Sequence, residues 1–318
     1  MQNQSLLRKA DIALADLSSN GGVLLPEQAN TFIRRMIIEP TLVRDTRVVT
    51  MAAPQRYINR IGFGARILQP AVSGTALTAN QRSKPTTDQI RLQTSEVIAQ
   101  VNLPYDVLED NIESAETADN GAVNTGPGGL RTTLIEMIAE RAALDLEELG
   151  ILANPASGDA YLALQNGWLN ISQTLGNVVD RQGASITKNL FKRGKMAMPK
   201  QYLRDIGQMR HYLSVDQQTE YYDTLADRPT PLGDDVVNGA RAVAPYGSPL
   251  QGVALMPDSS GLYCNPKNLI FGIQRQISLE YSKDITARVY IIVLTARVAL
   301  QVEQADAVVA YTNIGATT

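Results

Sequence analysis

The chain has 318 residues, one cysteine, one histidine and a formal net charge of −3. Hydrophobic residues make up 44% of it but aromatics only 5%, so a core is available and aliphatic side chains must fill it. A single cysteine excludes a disulfide framework within the chain and fits a reducing compartment. The slight negative charge gives no global attraction to nucleic acid or membranes.

Taken in order, residues 1–17 carry charges inside their apolar stretch, so they lack the uninterrupted apolar region of a secretory signal. Leu6 to Leu17 reads as a short amphipathic helix, followed by a Ser-Ser-Asn-Gly-Gly break at 18–22. Pro26 suits the first turn of a helix to Ile38, with Phe32, Ile33, Met36 and Ile37 on one stripe and Pro40 as its stop. Residues 42–63 read as extended segments broken by Pro54. Residues 64–89 are polar and rich in Gly, Ser, Thr, Ala and Pro. With extended chain on either side they predict a long two-stranded arm, and such core-less excursions are usually functional. Ile90 and Leu92 alternate with Arg91 and Gln93, as in a strand.

After Pro104, Tyr105 to Thr117 predicts a helix with an acidic face, and Asn124 to Gly129 a loop. The clearest helix runs from Leu130 to Leu149, with Leu130, Leu134, Ile138, Ala142, Leu146 and Leu149 at helical spacing and Gly150 as its C-cap. Residues 154–262 are mixed, with helical candidates at 186–198 and 216–226 and loops at 229–239 and 245–252. The end of the chain is strand-rich. Ile277, Leu279 and Tyr281 alternate with Ser278 and Glu280. Arg288 to Glu303 reads as one strand, apolar on both faces in its first half, with Ala296, Val298, Leu300 and Val302 facing one way in its second. That is far beyond the usual ~5–6 residues, so its edges must be paired or covered. Ala307 to Tyr311 predicts a last strand. No run reaches the ~18 apolar residues of a membrane span; the longest, Val289 to Leu294, is strand-sized.

The chemistry of sites is sparse. His211 and Cys264 cannot supply a His/Cys zinc site within one chain. His211 lies in the polar stretch GQMRHYL without a nucleophile elbow nearby and reads as a surface or cavity histidine; Cys264 reads as a small buried hydrophobe. Gly126, Gly128 and Gly129 precede a helix, but Pro127 removes a donor and no Gly-Lys-Ser/Thr follows, so they read as a helix entry. Gly194-Lys195 lacks the earlier glycine of a phosphate loop, and the acid pair Asp234-Asp235 is a common chance occurrence. No residue is assigned a catalytic, cofactor-binding or metal-binding role.

Charge is segregated instead. Arg34, Arg35, Arg44, Arg47, Arg56, Arg60 and Arg66 face only Glu39 and Asp45 within 34–66, a balance of +5. Residues 92–130 hold Glu96, Asp106, Glu109, Asp110, Glu113, Glu116 and Asp119 and no lysine or arginine, a balance of −7. Three readings stand: two solvated faces, a basic arm bound to the acidic region of a neighbouring copy, or a basic arm on nucleic acid. Arginine suits the second, because its planar fork pairs bidentately with carboxylates; the missing stacking aromatics weaken the third.

The ordered set of segments resembles the major capsid proteins of tailed bacteriophages, with the Hong Kong 97-type fold. GGVLLPEQANTFIRRMIIEPTLVRDTRVVTM is similar to the family's opening arm, and NLPYDVLEDN to the turn into its peripheral domain. LIEMIAERAALDLEELGILAN resembles the spine helix, and NPKNLIFGIQRQISLEYSKD with ARVALQVEQADAVVAYTNI the closing strands. The resemblance implies an α+β fold with an N-terminal arm at 1–55 and an E-loop with flanking strands at 56–95. The peripheral P-domain would take 96–154, with its spine helix at 130–149, and 263–318, and the axial A-domain 155–262. The loop 229–239 would then meet its symmetry mates at the capsomer centre. The resemblance also implies self-assembly as pentamers and hexamers into an icosahedral shell around double-stranded DNA, with no enzymatic activity and no cofactor.

The implied partners are further copies of the chain, a portal protein, the packaged DNA bound without sequence preference and an optional decoration protein. About twenty residues precede Gly21-Gly22, too few for a fused scaffolding segment, so either a separate scaffolding protein or a processed chain is expected, the shell assembling in the bacterial cytoplasm. Lys84 and Asn313 do not align with the family's crosslinking pattern. On this reading Arg34, Arg35, Arg44, Arg47, Arg56, Arg60 and Arg66 contact Glu109, Asp110, Glu113 and Glu116 between subunits. Three alternatives remain open. An encapsulin-type nanocompartment shell has the same fold around protein cargo. A cytosolic hydrolase would use a carboxylate site, and a DNA-binding module would bind strongly and salt-dependently as a monomer.

Overall fold

A computed structural model describes residues 42–62, 84–104, 130–227 and 243–316, together with 66–68, 70, 74, 78 and 82. The expected helices at 6–17, 26–38 and 105–117, the entry loop 124–129, the loop 229–239 and the Asp234-Asp235 pair lie outside them.

The strand-rich end of the chain builds the first sheet. β9 (Leu269–Asp284) and β10 (Val289–Val302) form a long antiparallel hairpin. Its turn is held by the Asp284 carboxylate, which accepts the amides of Thr286 and Ala287 at 2.9 and 3.0 Å, with Arg288 at φ 52. β1 (Arg47–Thr50) adds parallel to β9, and β4 (Ser95–Pro104) antiparallel to β10. The sheet order β1-β9-β10-β4 thus flanks the longest apolar strand on both sides, the protection its sequence demands. On β10, Ile292, Leu294, Ala296, Val298, Leu300 and Val302 are buried on one face. Ala299 is buried on the other, against Gly272, where an added Cβ would come within 3.0 Å of Met51 Sδ and 3.1 Å of Ala299.

The even face of β10 packs under α1 (Leu130–Leu152) and α2 (Trp168–Leu175). Ala142, Leu146 and Leu149 of the expected stripe are buried, and Ile138 half so. Gly150 is not a C-cap. The helix runs through it to Leu152, and a Cβ there would lie 2.8 Å from the Trp168 ring; the residue is glycine for close packing, not for termination. Trp168 is fully buried, edge-on to Phe271 at 6.4 Å between centroids, and its indole N–H donates to the Ile270 carbonyl at 3.2 Å. The buried Glu147 accepts the Leu42 amide at 2.5 Å, fastening the start of the described chain to α1.

The mixed central region forms a second sheet of short strands, ordered β5-β11-β8-β6-β7. These are β5 (Asn177–Asp180), β6 (Arg210–Leu213), β7 (Leu250–Gly252), β8 (Gly261–Cys264) and β11 (Val308–Thr312). The stretch expected as loop at 245–252 therefore contains a 3-10 turn and an edge strand. α3 (Lys188–Ala197) and α4 (Val215–Ala226) pack on this sheet, close to their expected spans. Ser214 caps α4, its hydroxyl accepting the Gln217 amide at 3.1 Å. Arg210 reaches from this sheet to the Asp45 carboxylate, and to Gln251 Oε1 at 3.0 Å.

Candidate assembly surface

The polar excursion is rooted in a two-stranded ribbon. β2 (Gln55–Gly62) and β3 (Thr86–Gln93) pair antiparallel from Gln55↔Gln93 to Gly62↔Thr86. Residues opposite each other share a face. One face carries Ile58↔Ile90, Arg56↔Leu92 and Arg60↔Asp88; the other carries Tyr57↔Arg91, Asn59↔Gln89 and Ile61↔Thr87. At the base, Leu92 and Ile58 pack against Val49, Met51, Ile270 and Ala299, so the ribbon is seated on the first sheet. Thr94 adds its amide to the Pro54 carbonyl at 3.0 Å and its hydroxyl to Gln274 Oε1 at 2.9 Å. Farther out the ribbon loses this support. Ile61 is 72% exposed, and in the loop beyond it Leu68 is 83% exposed and Ile67 exposed too.

The basic arm contributes to the same root. Arg47 pairs with Glu303 at 2.8 Å, and Arg60 donates to the Glu303 carbonyl at 2.5 Å and to the Asp88 carboxylate, whose pKa the Arg60 hydrogen bond lowers below the usual value. Arg56 donates to the Thr50 carbonyl at 2.6 Å. Solvent screens these exposed pairs, so they orient the ribbon more than they stabilise it. Arg44 lies exposed in a 3-10 turn (Val43–Asp45), and Arg66 is exposed beyond β2. Arg34, Arg35, Glu109, Asp110, Glu113 and Glu116 lie outside the described residues. Of the acidic segment, Glu96 pairs with Arg297 at 2.8 Å. Asp88 and Glu303 were not among the expected partners, because only the strand register brings them to Arg60 and Arg47.

A second basic surface also went unread in the sequence, although an unbroken run of cations signals it. Arg181, Lys188, Lys192, Arg193, Lys195, Lys200 and Arg204 occupy 181–204 without one Asp or Glu. They centre on α3, whose buried side is Leu190, Phe191 and Gly194.

His211 corrects the expectation of a surface or cavity histidine. It is 1% exposed on β6, stacked on Tyr263 at 4.2 Å, edge-on to Phe191 at 4.8 Å, with Nδ1 3.0 Å from the Tyr311 hydroxyl. The polar neighbours in sequence face elsewhere, because strand residues alternate. Burial, with a small contribution from Lys195, pushes its pKa down to about 3. Cys264 is fully buried, as its sequence suggested, and burial pushes its thiol up to about 12, so it is not a nucleophile. Among the described residues no group of three metal-ligating side chains gathers, and no helix is long and apolar enough to cross a membrane.

The buried histidine has a measurable consequence. Its folded pKa lies below the unfolded value of 6.5, so acid protonates the unfolded chain first. Its contribution is complete above pH 6.5 and is lost as pH falls from there toward 3, with a slope approaching about 1.4 kcal/mol per pH unit. Urea unfolding of unassembled protein at pH 7, 6 and 5 is expected to show this loss. Replacing the pair together, His211→Phe with Tyr311→Phe, is expected to flatten the slope by one proton; an unchanged slope contradicts the assignment.

Comparison with known proteins fits this architecture. No protein-family model matches the chain. It is 42% identical over 320 residues, covering 97% of each chain, to YqbE of Bacillus subtilis (strain 168), described as a prophage capsid protein. A chain of the satellite phage P4 procapsid including size determination (Sid) protein superposes with a TM-score of 0.63 at 11% identity, covering 99% of this chain and 98% of that one. A chain of the holo-SrpI encapsulin complex from Synechococcus elongatus PCC 7942 gives 0.61 at 12% identity, covering 96% and 98%. The α+β architecture is thus the Hong Kong 97-type fold. At this level of identity to YqbE, the chain belongs to the prophage capsid protein family: it is a major capsid protein, a structural part of a virion and not an enzyme. The carboxylate-site hydrolase is thereby set aside.

Proposed function

We propose that the chain assembles as pentamers and hexamers into an icosahedral shell enclosing the double-stranded DNA of a tailed phage. Its further partners are a separate scaffolding protein, a portal protein and, optionally, a decoration protein, with assembly in the bacterial cytoplasm. In this reading β2, β3 and the loop between them are the E-loop within 56–95. The β9–β10 hairpin, β4 and α1 belong to the P-domain at 96–154 and 263–318, and β5, β6, β7, α3 and α4 to the A-domain at 155–262, with β11 of the closing segment pairing into the A-domain sheet. The observation that carries it is the ribbon: seated at its root and apolar at Ile61, Ile67 and Leu68, which the described residues leave exposed, it fits a segment that lies across another copy.

Charge completes the contact. The arginines from Arg34 to Arg66 meet Glu109, Asp110, Glu113 and Glu116 of a neighbour, Arg47 and Arg60 being oriented by Glu303 and Asp88 of their own chain. Reversing Arg44 and Arg47 to glutamate is expected to impair assembly while the subunit stays folded, and matched reversal of Glu109 and Asp110 to partly restore it. Normal shells from the reversed arginines, seen by electron microscopy, would rule the contact out. Rescue by Glu303→Arg alone would place the role of Arg47 within its own chain.

An encapsulin-type compartment is the second reading, supported by the shared fold. The identity to a prophage capsid protein favours the phage shell. The contents of purified shells, nuclease-protected DNA against protein cargo, separate the two.

A further inference from the structure

The segment 181–204 carries +7 in a chain whose net charge is −3. Lys188, Lys192, Arg193, Lys200 and Arg204 are all exposed, and no carboxylate among the described residues forms an ion pair with any of them. The two acids that flank the run in sequence have other hydrogen-bond partners, although Asp180 also feels the charge of Arg193. Asp180 accepts the Gln182 amide at 2.8 Å and the Asn313 side chain at 3.0 Å, and Asp205 accepts Gln208 at 2.7 Å. Lys195 donates to the Tyr246 carbonyl at 2.8 Å.

This arrangement works against the helix that bears it. α3 has no acidic residue in its first turn and no side-chain cap from Thr187, yet Lys188 stands there, where the helix dipole disfavours a cation. Lys188 and Lys192 are like charges one turn apart, about 6 Å along the axis, a spacing at which they repel. Among the described residues no ion pair with a carboxylate repays this for Lys188 and Lys192, which points to an anionic partner.

We propose that the exposed face of α3, with Lys200 and Arg204 beyond it, binds the phosphate backbone of double-stranded DNA. The assignment rests on the reading of the protein as the shell around a DNA genome. Lysines dominate the face, and their compact, rotatable charges suit a diffuse row of phosphates, whereas a fixed carboxylate partner favours the arginine fork. Met196 is its one large apolar side chain, too little to anchor an amphipathic peptide. No exposed aromatic lies on α3 itself to stack the bases of a single strand. Binding is therefore electrostatic and indifferent to sequence.

The test uses unassembled full-length protein and a fluorescent DNA duplex, with anisotropy read across a salt series. The unaltered protein is expected to bind with steep salt dependence. The triple variant Lys188→Gln, Lys192→Gln, Lys200→Gln is expected to bind at least ~10-fold more weakly at low salt, with a log–log slope reduced by about 3, one per lysine. A control carrying Lys84→Gln and Lys267→Gln should keep the original slope. Circular dichroism checks that both variants fold; if the triple variant does not, Lys192→Gln alone must lower the slope by about 1. Equal DNA binding by the variants and the unaltered protein overturns the proposal. So does tighter binding of a poly-glutamate peptide than of the duplex, which would assign the face to an acidic protein. Shell formation is scored separately by electron microscopy, so a failure to form shells counts against the capsid reading and not against the DNA surface.

Discussion

Trp168→Ala is expected to destabilise the subunit by about 3–5 kcal/mol, a large share of the ~5–15 kcal/mol that holds a typical domain. The indole is fully buried where α1, α2 and β10 meet, and it fills the space that Gly150 leaves open in α1. Truncation removes the edge contact with Phe271 and strands the Ile270 carbonyl without its donor. It also opens a cavity against a helix that cannot collapse without bending. Since Trp168 is the one tryptophan, urea unfolding followed by circular dichroism is the measurement. Trp168→Phe should recover a substantial part of the loss. A cost below about 1 kcal/mol for the alanine would mean that the site repacks and that this junction is not the centre of the core.

Removing residues 63–85 is expected to abolish closed shells while leaving a folded, soluble subunit. Gly62 and Thr86 are the terminal pair of the ribbon, so an Asn-Gly dipeptide can close β2 to β3 as a tight hairpin. The root, built on Leu92, Ile58, Met51 and Ala299, is untouched, and thermal stability should therefore change little. What disappears is the exposed apolar tip with Ile67 and Leu68, which the subunit's own core does not use. Size-exclusion chromatography with electron microscopy reads the result. Shells of normal form from the shortened chain would show that the ribbon is dispensable for assembly.

The features readable from the sequence were those set by local periodicity. β10 and α1 declare themselves through apolar residues repeating at the strand and helix periods, and the polar stretch between two extended segments marks the ribbon. The strands β5, β6 and β8 escaped because four residues are too few to establish a period; they exist because β11 and one another supply their hydrogen bonds. Gly150 illustrates another failure. Its place after an apolar stripe fits a C-cap, but the deciding neighbour, Trp168, is eighteen positions away in the chain and in contact only after folding. His211 was misread for a related reason, since its burial depends on Tyr263, Tyr311 and Phe191, none of them adjacent in sequence.

The assembly surface was legible in part. Segregation of charge in the first third of the chain was visible, but the pairing of Arg47 with Glu303 and of Arg60 with Asp88 follows from register, which charge counts do not contain. The basic stretch 181–204 centred on α3 was written plainly as seven cations without an acid. It was obscured by the larger arginine cluster before it and by the net negative charge of the whole.

The most direct test of the account is negative-stain electron microscopy of the purified full-length protein, expressed alone and with a candidate scaffolding protein. Closed shells, tubes or capsomer rings are the predicted result. A protein that stays monomeric or dimeric under every condition, scaffold included, would contradict the account.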